Sequence, residues 1–303
     1  MAIRHPRHRA PTLGRSFAVV TPAYVLVEDI LIADLLAATL VDPAFANLES
    51  AASLDLVLGL YAYAFQIYAD FSGYSDIAIG TALCLGYELP ENFNRPYLSR
   101  NVREFWTRWH ISLSTWFRDY LYIPLGGSRV GKWKAVRNVF IIFLVSGFWH
   151  GANWTFIVWG GIHACLFLPL LLRGTNRRYT SETIGEGRLL PTGREVLGMA
   201  WTFTMVCVAW VFFRAESVGE AAAYVSKIGI LKDWLHPPQR VVYTAFAYLG
   251  AMVLGDWLQR NGRMPAWWYA RKFLLIRWGL AALSGWFILK NFASQADFIY
   301  FQF

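Results

Sequence analysis

From Asn138 to Trp154 the chain contains no Lys, Arg, Asp or Glu, and a second apolar run, residues 156 to 172, follows almost at once. A backbone inside such runs must satisfy its own N–H and C=O groups, and a helix does so within one segment. Further runs at 195 to 213, 241 to 258 and 273 to 289 repeat the pattern. Charged residues make up 16% of the 303 positions against 56% hydrophobic ones, whereas a soluble domain carries about 25% charge. The chain cannot cover itself with a water-facing surface, so a lipid bilayer is its expected partner. At about 20 residues per span plus connections, the length allows roughly six to eight crossings. The expected fold is all-α: a polytopic transmembrane helical bundle with interfacial and broken helices.

Charge then sets orientation. The net charge of +8 comes from basic residues clustered between apolar runs, which positive-inside bias explains without a nucleic-acid partner. Residues 1 to 15 carry Arg4, Arg7, Arg9 and Arg15 and no acid, which predicts a basic cytoplasmic N-terminus. Residues 16 to 41, interrupted by Glu28, Asp29 and Asp34, read as an imperfect span or re-entrant helix, and the loop from Asp42 to Ser53, without Lys or Arg, as outside. From Arg95 to Arg137 nine Lys or Arg face two acids, Glu104 and Asp119, and 173 to 194 adds five arginines, so both stretches are expected on the cytoplasmic side. Residues 16 to 303 read as one membrane-embedded domain. Cys84, Cys165 and Cys207 stand singly in apolar segments, with no disulfide or metal-ligand spacing.

Within this frame a few polar groups stand out. The block from Leu54 to Leu89 is too long for one plain span, and Tyr68 to Asp76 suggests a break at Ser72-Gly73. Asp70 and Asp76 would then line a wet cavity or cap two half-helices. Positions 105 to 121 are amphipathic as one helix near the interface plane: Trp106, Trp109, His110, Leu113, Phe117 and Leu121 share a side, opposite Arg108, Ser112, Thr115 and Asp119. His110 thus lies among aromatics, where desolvation favours the neutral imidazole that can accept a proton. His150 stands inside the uncharged run, and an ionisable group within a membrane span marks a functional site by default. His163 and His236 have no partner motif and read as structural. There is no Gly-x-Ser-x-Gly, Walker-type loop, His-Glu-x-x-His or Cys-x-x-Cys. What remains are two membrane-placed histidines with polar neighbours such as Asn153, Ser114 and Asp70, a set suited to taking a proton from a hydroxyl or thiol.

Several long runs carry a resemblance. They are Gln66 to Gly80 (QIYADFSGYSDIAIG), Glu91 to Tyr97 (ENFNRPY), Phe105 to Trp116 (FWTRWHISLSTW), Tyr122 to Gly127 (YIPLGG), Phe148 to Trp154 (FWHGANW) and, more weakly, the ending Asp297 to Phe303. In this order they resemble the membrane-bound O-acyltransferase family, and within it the bacterial alginate O-acetylation branch. Members of that branch usually carry several additional spans ahead of the matching region, so the chain reads as a shortened form with its catalytic core at about 60 to 165. The resemblance implies a tunnel leading to a pair of histidines, His150 from the Trp-His-Gly motif as the catalytic one and His110 as the second. It implies an acetyl or related acyl group passed from a cytoplasmic thioester, such as acetyl-CoA, towards hydroxyls of an exported polysaccharide. No bound cofactor or metal is implied. A periplasmic or extracellular acetyltransferase partner and a multi-pass place in the bacterial inner membrane are. On this reading His150 is general base and later acid, His110 orients the donor, and Asn153, Trp149 and Trp106 shape the pocket. The alternative is a non-catalytic scaffold or polymer transporter, which the expected break near Gly73 and the intramembrane acids would suit equally.

Overall fold

The computed structural model describes residues 33–176, 179, 183–229, 240–261 and 271–275, together with 278, 279, 282 and 286. The basic N-terminus, most of the 16 to 41 and 273 to 289 runs, His236 and the ending therefore lie outside the described residues. Those described contain no β-strand. A short helix α1 (Asp34–Leu36) passes through a wider π turn (Ala37–Val41) into α2 (Asp42–Ala46), followed by α3 (Ser53–Cys84). Two short helices come next, α4 (Val102–Arg108) and α5 (Ile111–Phe117), then α6 (Lys132–His150), α7 (Trp154–Leu172), α8 (Gly193–Arg214), α9 (Val218–Gly229) and α10 (Arg240–Leu258). Among the described residues α7 and α8 are long and apolar enough to cross a membrane, at about 28 and 33 Å of axial rise.

The break expected at Ser72-Gly73 does not occur. Helix α3 runs without interruption for 32 residues, about 48 Å. Ser72 and Gly73 are both buried, and the Ser72 hydroxyl donates to the Ala69 carbonyl at 3.3 Å, so the helix absorbs both residues at the modest cost of one interior glycine. The continuous helix has no half-helix ends at Asp70 and Asp76 for them to cap. Six residues apart on a continuous helix, they point about 120° apart around its axis, Asp70 half-buried and Asp76 exposed.

The chain divides into two compact units. The first takes in residues 1 to 42, 62 to 92 and 238 to 302. In it the Tyr68 hydroxyl of α3 donates to the Asp256 carboxylate of α10 at 3.3 and 3.4 Å, and Asn92 donates to the Ser75 hydroxyl at 3.2 Å. Asp70 and Asp76 belong to this unit.

The second unit holds residues 43 to 61 and 93 to 237, including both candidate histidines. Its centre is the antiparallel pair α6 and α7, whose backbones touch. A Cβ at Gly147 would run into the Phe156 carbonyl oxygen, and one at Gly160 into that of Phe143. Small residues permit such close approach between helices when lipid supplies no hydrophobic drive. Helix α8 packs on α7 and opens with a capping box: Glu195 N–H donates to the Thr192 hydroxyl, and the Thr192 N–H and hydroxyl donate back to the Glu195 carboxylate. Helix α9 returns along α2 and the start of α3. There the Tyr224 hydroxyl donates to the Leu56 carbonyl at 2.8 Å, Phe45 and Tyr224 stack at 4.6 Å, and Lys227 donates to the Leu48 and Glu49 carbonyls.

Candidate active site

Residues 105 to 121 do not form the single interfacial helix that their periodicity predicts. The helix stops at Arg108, Trp109 is extended, His110 takes a left-handed conformation at φ 43°, and α5 starts afresh at Ile111. A non-glycine residue in that region costs about 1–2 kcal/mol and persists only where its surroundings dictate it. They do: Phe105 and Trp109 are buried at 1% and 2% exposure, with Trp109 against Phe93 at 4.9 Å, Trp210 at 5.2 Å and Phe105 at 5.5 Å. Of the stripe, Trp109, His110 and Phe117 are buried, and this packing overrides the continuous helix.

Helix α8 measures how far this segment reaches. Near its start Glu195 accepts from Arg100 at 3.3 Å; further along, Phe203 meets Tyr97 at 4.7 Å; near its end Trp210 meets Trp109 and Phe213 meets His150 at 5.0 Å. Glu195 to Phe213 is about 27 Å of helix. α4 therefore enters beside the charged end of α8 and delivers His110 towards the aromatic end. The charged end is a buried network: Glu104, 1% exposed in its side chain, accepts from Arg100 at 3.1 Å and Arg108 at 3.0 Å. Arg100 also lies 3.9 Å over the Tyr179 ring.

At the aromatic end His150 closes α6, and its half-buried ring stands edge-on to Phe213 at 5.0 Å and Trp159 at 5.2 Å, with Trp149 at 4.9 Å on its other flank. The same Trp149 lies 6.2 Å from His110, and the two imidazoles are close enough to interact electrostatically. His110 stands in the turn between α4 and α5, outside the spanning helices, and burial pushes its imidazole down from 6.5 to about 4. It is neutral at pH 7.

A cavity of about 420 Å³, within the size range of small-molecule sites, is lined by chain neighbours of this pair rather than by either imidazole. Trp106, Ser114, Ile111 and Phe143 line it, and so does Ser146, one turn ahead of His150. Arg103, Arg118, Ser128 and Asn176 line it as well, from the basic stretches of the chain. Arg118 also holds Asp119 through two hydrogen bonds of 2.7 and 3.1 Å, which keep that carboxyl below its ordinary range.

The sequence profile of the membrane-bound O-acyltransferase family matches residues 24–183, just over half of the chain. The chain belongs to that family. Among curated relatives it is 44% identical over 208 residues to a probable alginate O-acetylase of Pseudomonas putida, covering 69% of this chain and 40% of that protein. It is 45% identical over 159 residues to a peptidoglycan O-acetyltransferase of Helicobacter pylori, covering 52% and 28%, and 35% identical over 170 residues to a teichoic acid D-alanyltransferase of Bacillus subtilis, covering 53% and 41%. The chain thus spans about two fifths or less of the length of these membrane-bound acyltransferases.

In this family member the residues named from sequence have separate places. His110, His150 and Trp149 form one cluster. Trp106 and Ser114 line the cavity, the Ser114 hydroxyl donating to the Trp109 carbonyl at 3.3 Å. Asn153 caps α7 by accepting from the Thr155 N–H at 3.1 Å and donates to the Glu216 carbonyl at 3.1 Å, so its amide holds the turn after His150. Asp70 and Asp76 lie in the other unit. Among the described residues no His, Cys, Asp and Glu side chains gather into a metal site. Trp159 and Phe213, which flank His150, and Trp210, which packs on both of them, are not singled out by sequence. Their only signal is spacing: Trp159 and His163 are one turn apart on α7, as are Trp210 and Phe213 on α8.

Proposed function

We propose that the chain is the catalytic part of a multi-pass O-acyltransferase of the bacterial inner membrane, built as a polytopic helical bundle. It transfers an acetyl group from a cytoplasmic thioester, such as acetyl-CoA, towards hydroxyls of an exported polysaccharide, with a periplasmic acetyltransferase completing delivery. The observation that carries this reading is the convergence of His110 and His150 on one aromatic cluster next to a cavity that basic residues line. The donor enters from the Arg103 and Arg118 side and lays its acyl end towards Trp106 and Ser146. His150 takes the acceptor hydroxyl's proton as the oxygen attacks the thioester carbonyl, then returns it to the leaving thiolate. His110, neutral, hydrogen-bonds the donor and orients it. Such a positioned base contributes ~10²–10⁴-fold. An acetyl cargo is favoured because the acetylase relatives match at 44% and 45% against 35% for the D-alanyl one. The transporter reading leaned on a break at Gly73, and α3 is continuous there.

The test is ester formation on an exported polymer, in membranes of a host without its own homologue and with the partner enzyme supplied. His150→Ala should lower the ester at least ~100-fold while membrane insertion is unchanged. Ester at the native level in that variant would remove His150 from the chemistry.

A further inference from the structure

His163, wholly buried in α7, has no part in the chemistry proposed above. Its Nδ1 accepts a hydrogen bond from the Trp106 Nε1–H at 3.2 Å. An indole nitrogen only donates, so Nδ1 must be the bare nitrogen and the neutral ring carries its proton on Nε2. Nε2 has no hydrogen-bond partner among the described residues, and the imidazole as a whole sits in a sleeve of rings, with centroids of Trp159 at 5.0 Å, Phe143 at 6.0 Å, Phe105 at 6.4 Å and Trp210 at 6.5 Å. A purely space-filling residue here would be better as Phe or Leu, since an unpaired buried N–H costs about 1–3 kcal/mol. The histidine's hydrogen bond reaches a different helix, and the side chain it holds is a wall of the cavity that Ile111 and Ser146 also line.

We propose that His163 is a positioning residue, which as the Nε2–H tautomer uses Nδ1 to fix the Trp106 indole and so sets the wall against which the acyl donor lies. The effect on the donor rests on the acyltransferase reading; the tautomer and the hydrogen bond do not.

Two measurements test it on the whole chain in lipid nanodiscs. In the first, ¹⁵N-histidine spectra are compared for the native chain, Trp106→Phe and His163→Asn, the last assigning the His163 signals by their absence. His163 should show a protonated Nε2 and a bare Nδ1, and Trp106→Phe should move that Nδ1 resonance. A protonated Nδ1, or a resonance indifferent to Trp106→Phe, overturns the proposal. In the second, His163→Leu should raise the donor KM about tenfold, equivalent to about one lost hydrogen bond, with a smaller change in kcat. His163→Asn, which keeps an acceptor near the Nδ1 position, should recover most of that loss. The His163→Leu/Trp106→Phe double variant should be no worse than the weaker single one. Equal impairment in Leu and Asn, additive losses, or a loss confined to kcat would overturn it. A native chain without any transfer counts against the acyltransferase reading alone, because the resonance experiment needs no turnover.

Discussion

The two ends of α8 hold the α4 segment by opposite chemistry. At the Glu195 end, Arg100, Arg108 and Glu104 form a buried ion-pair network with donors and acceptors matched at 3.0 to 3.3 Å. At the Phe213 end Trp109 meets Trp210, and His150 meets Trp159 and Phe213, through edge-on and tilted rings. A buried ion network is specific in geometry and intolerant of losing one member. An aromatic cluster gains mostly from area and tolerates a ring moving slightly. The segment is thus pinned where it enters and cushioned where it carries the histidine.

Variants can break this contrast. The largest effect is expected at the pinned end. Glu104→Ala removes the acid that pairs with both Arg100 and Arg108 and should cost ~3–5 kcal/mol, a fall of about 10 °C in melting temperature. If the network serves geometry more than stability, the triple replacement Arg100→Met/Glu104→Leu/Arg108→Met should recover much of that loss by the same melting assay. A Glu104→Ala chain that melts like the native one would show the network to be solvated.

Next comes the cushioned end, through pH. Folded His110 takes its proton near pH 4, whereas an unfolded chain takes it near 6.5. Between those values the unfolded state binds more protons, so stability present above about pH 6.5 is lost as pH falls towards 4. The native chain should lose about 5 °C more than His110→Gln between pH 7 and pH 4.5, and parallel melting curves for the two would refute a desolvated imidazole. The smallest effect belongs to neither end. Arg118, exposed at 59% in its side chain and paired with Asp119, should contribute little to stability. Arg118→Gln should leave the melting temperature within about 1 °C and raise the donor KM about threefold, or roughly half a typical hydrogen bond. A large melting shift would make Arg118 part of the fold instead.

Much of the second unit is legible in the sequence, because uncharged runs leave a chain few choices. The runs at 156 to 172 and 195 to 213 correspond within two residues to α7 and α8, and the run at 138 to 154 falls on α6, which starts earlier at Lys132 because its first turn projects its cations outward. The turn at His110 is not legible: the helical period continues through it, and Trp109 turns inward onto residues beyond its own helix, Trp210 and Phe93 among them. The reverse error falls on Ser72-Gly73, where local breaker residues are overruled by burial on both sides. Helix α9 was within reach, since Ser217 caps Glu220 N–H at 3.1 Å and Glu220 reaches back to the Glu216 N–H, a Ser-x-x-Glu signature legible in the chain. The pairing of Trp106 with His163 was not, because nothing in either segment says which helices will be neighbours.

Consider, finally, what the ion network at Glu104 means mechanically. It is a pivot, and α4 is a lever about 10 Å long whose free tip is His110. A tilt of about 10° at the pivot swings the tip by about 2 Å, more than the ~1 Å misplacement that can cost a reaction a hundredfold. The accuracy of this histidine is therefore set by arginines whose side chains are engaged by Glu104.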